Sequence, residues 1–332
     1  VTIGKNVYFI GGAGEGVARS VSTDIYNIVT KTWSKGKDMP NAFYLRAYTE
    51  YNGKIYLFGG YDASANTYGT VDIYNPVSDS WSVGKTMPYP VYNAQAVSIG
   101  DSIYVFGGIT ADNKNYIQIY NTINYSWTTK IMPFASRQAT LESYNGKVYL
   151  IGGNDGTRTI DDVNIYNPAT NEWSKGKNMP TERSGLTSVM KGSKIYAIAG
   201  RNLMNEDKTT QSIAAVEVYD IIEDNWSKLI SLPLGRRLPS SAFVDGRIYV
   251  FGGRNQETVD YLDSVVSLKI EDEVSTEGDD LQVLLYPGEE AQLSISFDLG
   301  DNKTYEWSSS NSEVASVDED GKVTAISKGA TN

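Results

Sequence analysis

The chain has 332 residues, 40% hydrophobic and 21% charged, with 24 tyrosines, 31 glycines and a net charge of −11. That is enough apolar material for a real core and length enough for two domains, and the absence of long Ala/Leu/Glu/Lys stretches favours an all-β protein. There is no Cys and no His, which excludes a thiolate nucleophile, a disulfide, a Ser-His-Asp relay and imidazole metal ligation; the acidic balance argues against a nucleic-acid partner, and no apolar stretch approaches the ~20 residues of a membrane-spanning helix.

The first apolar run, Val7 to Ile10, ends in Gly11-Gly12. The same event recurs along the chain: Ile55 to Phe58 before Gly59-Gly60, Ile103 to Phe106 before Gly107-Gly108, Val148 to Ile151 before Gly152-Gly153, Ile195 to Ile198 before Ala199-Gly200, and Ile248 to Phe251 before Gly252-Gly253. A period near ~50 residues with β-type runs marks a stacked or radial repeat. After each glycine pair comes a variable loop and a second alternating run, such as Val71-Asp72-Ile73-Tyr74-Asn75 or Val216-Glu217-Val218-Tyr219-Asp220. A turn follows, then a tryptophan (Trp33, Trp81, Trp127, Trp173, Trp226), then Met-Pro or Leu232-Pro233. Asn52-Gly53, Asn145-Gly146 and Asp245-Gly246 signal tight hairpins into the next tyrosine run.

Each repeat is therefore four strands, and four-stranded units repeated radially predict a six-bladed β-propeller over 1–270. The glycines suit backbone that needs φ > 0 beside the central axis. Tyr and Trp suit the wedges between twisted sheets, their polar tips finding partners. Ala199, the one break in the glycine pattern, places a methyl at a tight position and predicts a slight splay of its strand. The diglycines, the strand tyrosines, the tryptophans and the Met-Pro pairs together resemble the kelch family. That resemblance implies ring closure by strands shared between the two chain ends. The first blade has only Val1-Thr2-Ile3 for its innermost strand and the sixth lacks a Trp strand. The missing pieces are expected upstream of Val1 or, for the sixth blade, from 274–285.

The pattern stops near residue 271. Residues 271–280 are acidic and turn-rich and read as a linker. Over 281–332 the order of Pro287-Gly288-Glu289, Trp307-Ser308-Ser309 and Gly321-Lys322-Val323-Thr324-Ala325-Ile326 resembles the group 2 bacterial immunoglobulin-like domain. The expectation is a truncated C-terminal immunoglobulin-like β-sandwich with Trp307 in its core. The chain opens inside a strand and stops inside this domain, so it reads as a fragment. The resemblance to surface stalk modules implies export to the extracellular space or the bacterial cell surface.

Loops after the glycines and before each innermost strand are where a propeller of this kind would bind. Two sets of residues stand out. One is basic, from blades 4 to 6: Arg183, Arg201, Arg236, Arg237 and Arg254, with Asn202 and Asn255. Guanidinium forks suit carboxylates, and the kelch resemblance implies acidic peptide motifs as ligands. The alternative is that these arginines pair with neighbouring acids and stabilise the ring. The other set is aromatic, from blades 1 to 3: Tyr44, Tyr61 and Tyr92, with Phe43, Tyr68, Tyr89, Tyr116 and Phe134. It suits sugars or apolar side chains, or else packs between blades. The expected function is a non-catalytic binding or adhesion head, monomeric, for a glycan or an acidic peptide or protein. A carbohydrate enzyme like the sialate mutarotases, using Glu182 with Arg183 or Glu15 with an opposing Arg, is a second reading, and a structural spacer a third. No cofactor and no metal are expected. Copper radical oxidases of the same fold need His and Cys, and Asn154-Asp155-Gly156 and Asp318-Glu319-Asp320-Gly321 lack the spacing of an EF-hand loop and read as turns.

Overall fold

The computed structural model describes residues 1–13, 19–202, 211–258, 261–270, 290–292, 309, 312–318 and 322–327. It contains strands and no helix among these residues. The chain divides into two compact units, Val1–Ile270 and Glu271–Asn332.

The first unit is a six-bladed β-propeller. Blade 1 pairs Thr2–Ile3, Asn6–Ile10, Thr23–Asn27 and Thr32–Gly36 in that order, and blades 2 to 5 repeat the antiparallel meander. Blade 6 has three strands among the described residues: Ser240–Val244, Arg247–Phe251 and Val265–Lys269. The proposed fourth strand from 274–285 lies outside the described residues. The inner hairpins turn as their sequences dictate. At Asn52-Gly53 both residues have positive φ (50° and 69°), the geometry that matches strand twist in a two-residue loop.

Why these residues make blades is visible in the packing. Each tyrosine run is buried on both faces; Ile55, Tyr56, Leu57 and Phe58 are all at or below 8% exposure. Phe58, Val71 and Met87 of blade 2 pack with Ile103, Val105 and Tyr120 of blade 3, and equivalent clusters fill the other wedges. Blades 1 and 6 meet the same way, through Val7, Ile28, Ala242, Val244 and Phe251, with Phe9 edge-on to Phe251 at 4.9 Å and an ion pair from Lys5 to Asp245.

Polar latches tie neighbouring blades at the rim. The Trp81 indole donates to the Lys37 carbonyl (2.8 Å), and Trp127 and Trp226 do the same to Lys85 and Lys177. The Tyr74 hydroxyl donates to Asp79 Oδ1 (2.6 Å), which also accepts the Lys37 N–H (2.6 Å). Tyr219, Asp224 and Lys177 repeat it. Gly36 and Gly176 make room for these latches, since a Cβ there would run into the Tyr74 or Tyr219 hydroxyl.

The expected splay at Ala199 does not occur. Its strand, Lys194–Ile198, pairs over five residues on both sides, and Ala199 itself takes φ 60° with its N–H donating to Ala215 at 2.9 Å. The methyl is absorbed by a left-handed backbone rather than by strand separation.

In the second unit, Glu290–Gln292, Lys322–Ala325 and Ala315–Val317 form an antiparallel sheet in that order. Ala315 is buried and Val314 accepts the Ile326 N–H. The predicted linker, the Pro287-Gly288-Glu289 opening and Trp307 lie outside the described residues.

Candidate functional site at the mouth of the central channel

Beyond the paired strands, one further residue before each innermost strand bridges to the residue after the glycines. These pairs are Tyr44 with Tyr61, Tyr92 with Ile109, Arg137 with Asn154, Ser184 with Arg201, and Arg237 with Arg254. The residue that follows the first member of each pair is left-handed: Leu45 (φ 55°), Asn93 (59°), Gln138 (53°), Gly185 (60°) and Leu238 (51°). Each N–H donates to the same carbonyl of the blade before: Asn93 to Leu45 (2.9 Å), Gln138 to Asn93 (3.2 Å), Gly185 to Gln138 (2.8 Å), Leu238 to Gly185 (2.7 Å). This hydrogen-bonded ladder runs around the axis across blades 2 to 6, and the bridged pairs line one mouth of the channel.

The mouth has two halves. Blades 2 and 3 give a tyrosine wall. The Tyr44 and Tyr61 rings lie 4.0 Å apart with their hydroxyls hydrogen-bonded, and Tyr92 stands 4.8 Å from Tyr61. The Arg19 guanidinium lies over Tyr44 at 4.6 Å. Burial, and then the bond to Tyr44, push the Tyr61 hydroxyl up to about 12, so it stays a proton donor at neutral pH.

Blades 4 to 6 give an arginine wall of Arg137, Arg201, Arg237 and Arg254, all half-buried. Burial lowers Arg201 from its ordinary value, and the charge of Arg237 adds to the shift; burial and then Arg254 do the same to Arg237, with Tyr261 opposing. Arg201 donates to the Gln138 side-chain Oε1 at 3.2 Å, and Arg254 lies over the Tyr261 ring at 5.2 Å. Among the described residues none of the four forms an ion pair with a carboxylate, and the Nε of each is buried without a hydrogen-bond partner.

The residues singled out in the sequence divide sharply. Tyr44, Tyr61, Tyr92, Arg201, Arg237 and Arg254 stand at the mouth. Arg183 and Arg236 do not: one residue earlier in the extended chain, their side chains point the opposite way and are 0% and 1% exposed. Arg183 pairs with Glu217 at 2.6 Å and donates to the Ala197 carbonyl at 3.1 Å. Arg236 donates to the Gly252 carbonyl and the Ser264 hydroxyl. Both serve the interior of their own blades and are withdrawn from the ligand-facing set. Asn255 is also internal, donating to the Gly235 carbonyl and accepting from Thr258. Asn202 joins blades, accepting from Thr159 at 2.9 Å and donating to Glu182 at 3.4 Å. Of the other aromatics, Phe43 stacks on Tyr68 and Tyr89 on Tyr116, while Phe134 packs on Trp173.

Glu182 is exposed while Arg183 turns inward, so the two do not form an acid–cation pair at the mouth; Glu15 lies outside the described residues. Asp155 is a turn residue, accepting the Thr157 and Arg158 N–H groups. Deeper along the innermost strand of blade 4, Glu142 accepts from Ser188 at 2.7 Å, and burial pushes its carboxyl up to about 7. Arg137 lies outside that strand, Thr140–Tyr144, with the left-handed Gln138 between them. A concavity of about 360 Å³ between Lys147, Glu172 and Trp173 lies at the opposite ends of the blade 4 strands and gathers no comparable charge.

Sequence reading missed Arg19, Gln138 and Tyr261, and did not group Arg137 with the basic set. Arg137 was recoverable from register alone, since it occupies the position of Tyr44 and Arg237.

The KLHDC2/KLHL20/DRC7 Kelch-repeats domain matches residues 1–200 and 46–253, a Kelch motif matches 235–273, and the bacterial Ig-like domain (group 2) matches 279–332. Similar curated proteins include alpha-scruin of Limulus polyphemus (29% identical, covering 48% of this chain and 18% of that protein). Kelch-like protein terF of Aspergillus terreus is 28% identical over 42% of this chain and 32% of its own length. Human Kelch-like protein 23 is 31% identical over 36% and 20%. The chain thus spans less than a third of each of these relatives. The solved structure of YjhT superposes with a TM-score of 0.72 at 15% identity, covering 82% of this chain and 94% of that one, a likeness of fold.

Proposed function

The chain belongs to the kelch-repeat family and carries a group 2 bacterial immunoglobulin-like domain, and from this we propose that its propeller is a non-catalytic binding head whose channel mouth takes an acidic ligand. The single observation that carries the reading is the arginine wall. Arg201, Arg237 and Arg254 gather with Arg137 beside them on the ladder, and among the described residues no carboxylate balances them, in a chain of net charge −11 where acids are plentiful. Structural arginines in the same fold are treated differently: Arg46 and Arg183 each have a buried carboxylate, Asp72 and Glu217, at 2.6 Å. An uncompensated cation cluster in a half-buried mouth favours anions that bring their own acceptors. The tyrosine wall opposite offers ring faces and hydroxyls to the rest of such a ligand. The ligand class is an acidic protein or peptide, or a carboxylated glycan. The immunoglobulin-like domain supports reading the protein as exported, to a bacterial surface or outside the cell.

A glycan and peptide array probed with the 332-residue chain and with an Arg201→Ala/Arg254→Ala variant tests the reading. Acidic features that bind the parent and are lost with the variant are the expected result. Binding that survives the double change removes the mouth from consideration.

A further inference from the structure

Blade 6 carries a feature that the other blades avoid. Arg237 and Arg254 face each other across the bridge and exchange both N–H···O bonds at 2.9 Å. In a hydrogen-bonded antiparallel pair the two Cα atoms are ~5.5 Å apart and the side chains leave on the same side. Like charges directly opposite one another destabilise a sheet. The equivalent pairs in the other blades hold at most one charge: Tyr44/Tyr61, Tyr92/Ile109, Arg137/Asn154 and Ser184/Arg201. Arg201 adds a third cation close enough to shift with Arg237. Among the described residues the partners supplied from within are neutral, the Gln138 side chain for Arg201 and the Tyr261 ring for Arg254. A local rule broken without compensation among the described residues points to a functional site.

We propose that this arginine wall is a receptor for a phosphate monoester carried by a partner protein, with Arg237 and Arg254 as the paired forks and Arg201 as the third contact. The inference rests on the reading of the mouth as an acidic-ligand site and names the anion. A single carboxylate brings one charge and two oxygens to three or four guanidinium groups. A phosphate monoester brings up to two charges and three acceptor oxygens at neutral pH, and guanidinium pairs bind it in bidentate fashion. A polypeptide carrier is favoured over a sugar because exposed Leu234, Leu238 and Tyr261, each 40% to 44% accessible, come from the segments that hold Arg237 and Arg254 and offer apolar contact to flanking side chains.

The test is a binding measurement on the 332-residue chain. The probes are a degenerate nonapeptide pool with central phosphoserine, the same pool with central Glu or Ser, glucose 6-phosphate, and inorganic phosphate. At pH 7.5 the phosphoserine pool is expected to bind at least about 10-fold tighter than the Glu pool. The advantage is expected to shrink at pH 5, where the monoester falls to one charge, its second pKa being about 6. Arg254→Gln is expected to lower phosphopeptide affinity at least tenfold while the unliganded protein melts no lower than the parent. Equal binding of the Glu and phosphoserine pools overturns the phosphate assignment and leaves the acidic-ligand reading standing. Glucose 6-phosphate or inorganic phosphate binding as tightly as the phosphopeptide overturns the protein source. Failure of every anionic probe overturns both the inference and the reading beneath it.

Discussion

At the scale of single residues, the decisive fact is the alternation of an extended chain. Arg236 and Arg237 are neighbours in sequence, yet one is buried among backbone carbonyls and the other stands at the channel mouth. The same parity separates Arg183, turned to Glu217 inside its blade, from Ser184, which bridges to Arg201, although both are 0% exposed. Buried Arg183 makes Glu217 a structural acid, so Glu217→Gln should cost about 3–5 kcal/mol in chemical denaturation, the price of leaving a cation uncompensated in the interior. Glu142 predicts a pH dependence of stability. Its ordinary value of 4.5 rises to about 7 on burial, with the Ser188 hydrogen bond opposing the shift. Between those values the unfolded chain has released the proton that the native chain keeps, so stability falls as pH climbs through the window and the loss is complete above about 7. Glu142→Gln, which keeps an acceptor for Ser188, should therefore be near neutral at pH 4 and stabilise by on the order of 2–3 kcal/mol at pH 8, read as the difference between two denaturation curves.

At the scale of the element, the blade repeats a set of positions, and exceptions to the repeat are informative. The third strands of blades 2 to 5 each carry a buried polar residue near their start: Asp72, Gln118, Asn164 and Glu217 are 0% to 3% exposed. Asp72 holds Arg46, Glu217 holds Arg183, and Gln118 exchanges two bonds with the Tyr89 backbone. These polar residues in apolar runs were visible in the sequence as part of a period-two alternation, which assigns them to the solvent side. In a propeller both faces of the blade are covered, so the alternation marks internal anchors instead. The rim latch has its own exception. Asp79, Asn171 and Asp224 accept the hydroxyls of Tyr74, Tyr166 and Tyr219, but Tyr125 holds that place in blade 3, and the Tyr120 hydroxyl lies by the Lys85 backbone with no side-chain acceptor of that kind. Tyr125 also sits at φ 58°, a conformation that Asp tolerates better than Tyr. Tyr125→Asp should raise stability by about 1 kcal/mol, measured as a shift in the denaturation midpoint at unchanged slope.

At the scale of the whole molecule, the glycine pairs, tyrosine runs and tryptophans were enough to read six blades, because a repeat multiplies a weak local signal by its copies. The mouth was legible only in part. Its tyrosines and three of its arginines were named from loop position, while Arg183, Arg236 and Asn255 were named with them and belong to the interior. Loop position says which residues are near the channel; side-chain parity and the ladder through Leu45, Asn93, Gln138, Gly185 and Leu238 decide which of them face it, and a left-handed residue at each of those positions, only one of them glycine, has no strong sequence mark. The central claim is that the Arg237–Arg254 pair of the wall is held for a ligand and not for the stability of the ring. The melting temperature of an Arg237→Leu/Arg254→Leu variant without ligand tests it most directly. Relief of like-charge repulsion predicts a midpoint equal to the parent or higher by about 2–4 °C for each kcal/mol gained. A fall comparable to that of Glu217→Gln would show that the two arginines support the fold, and would contradict the account.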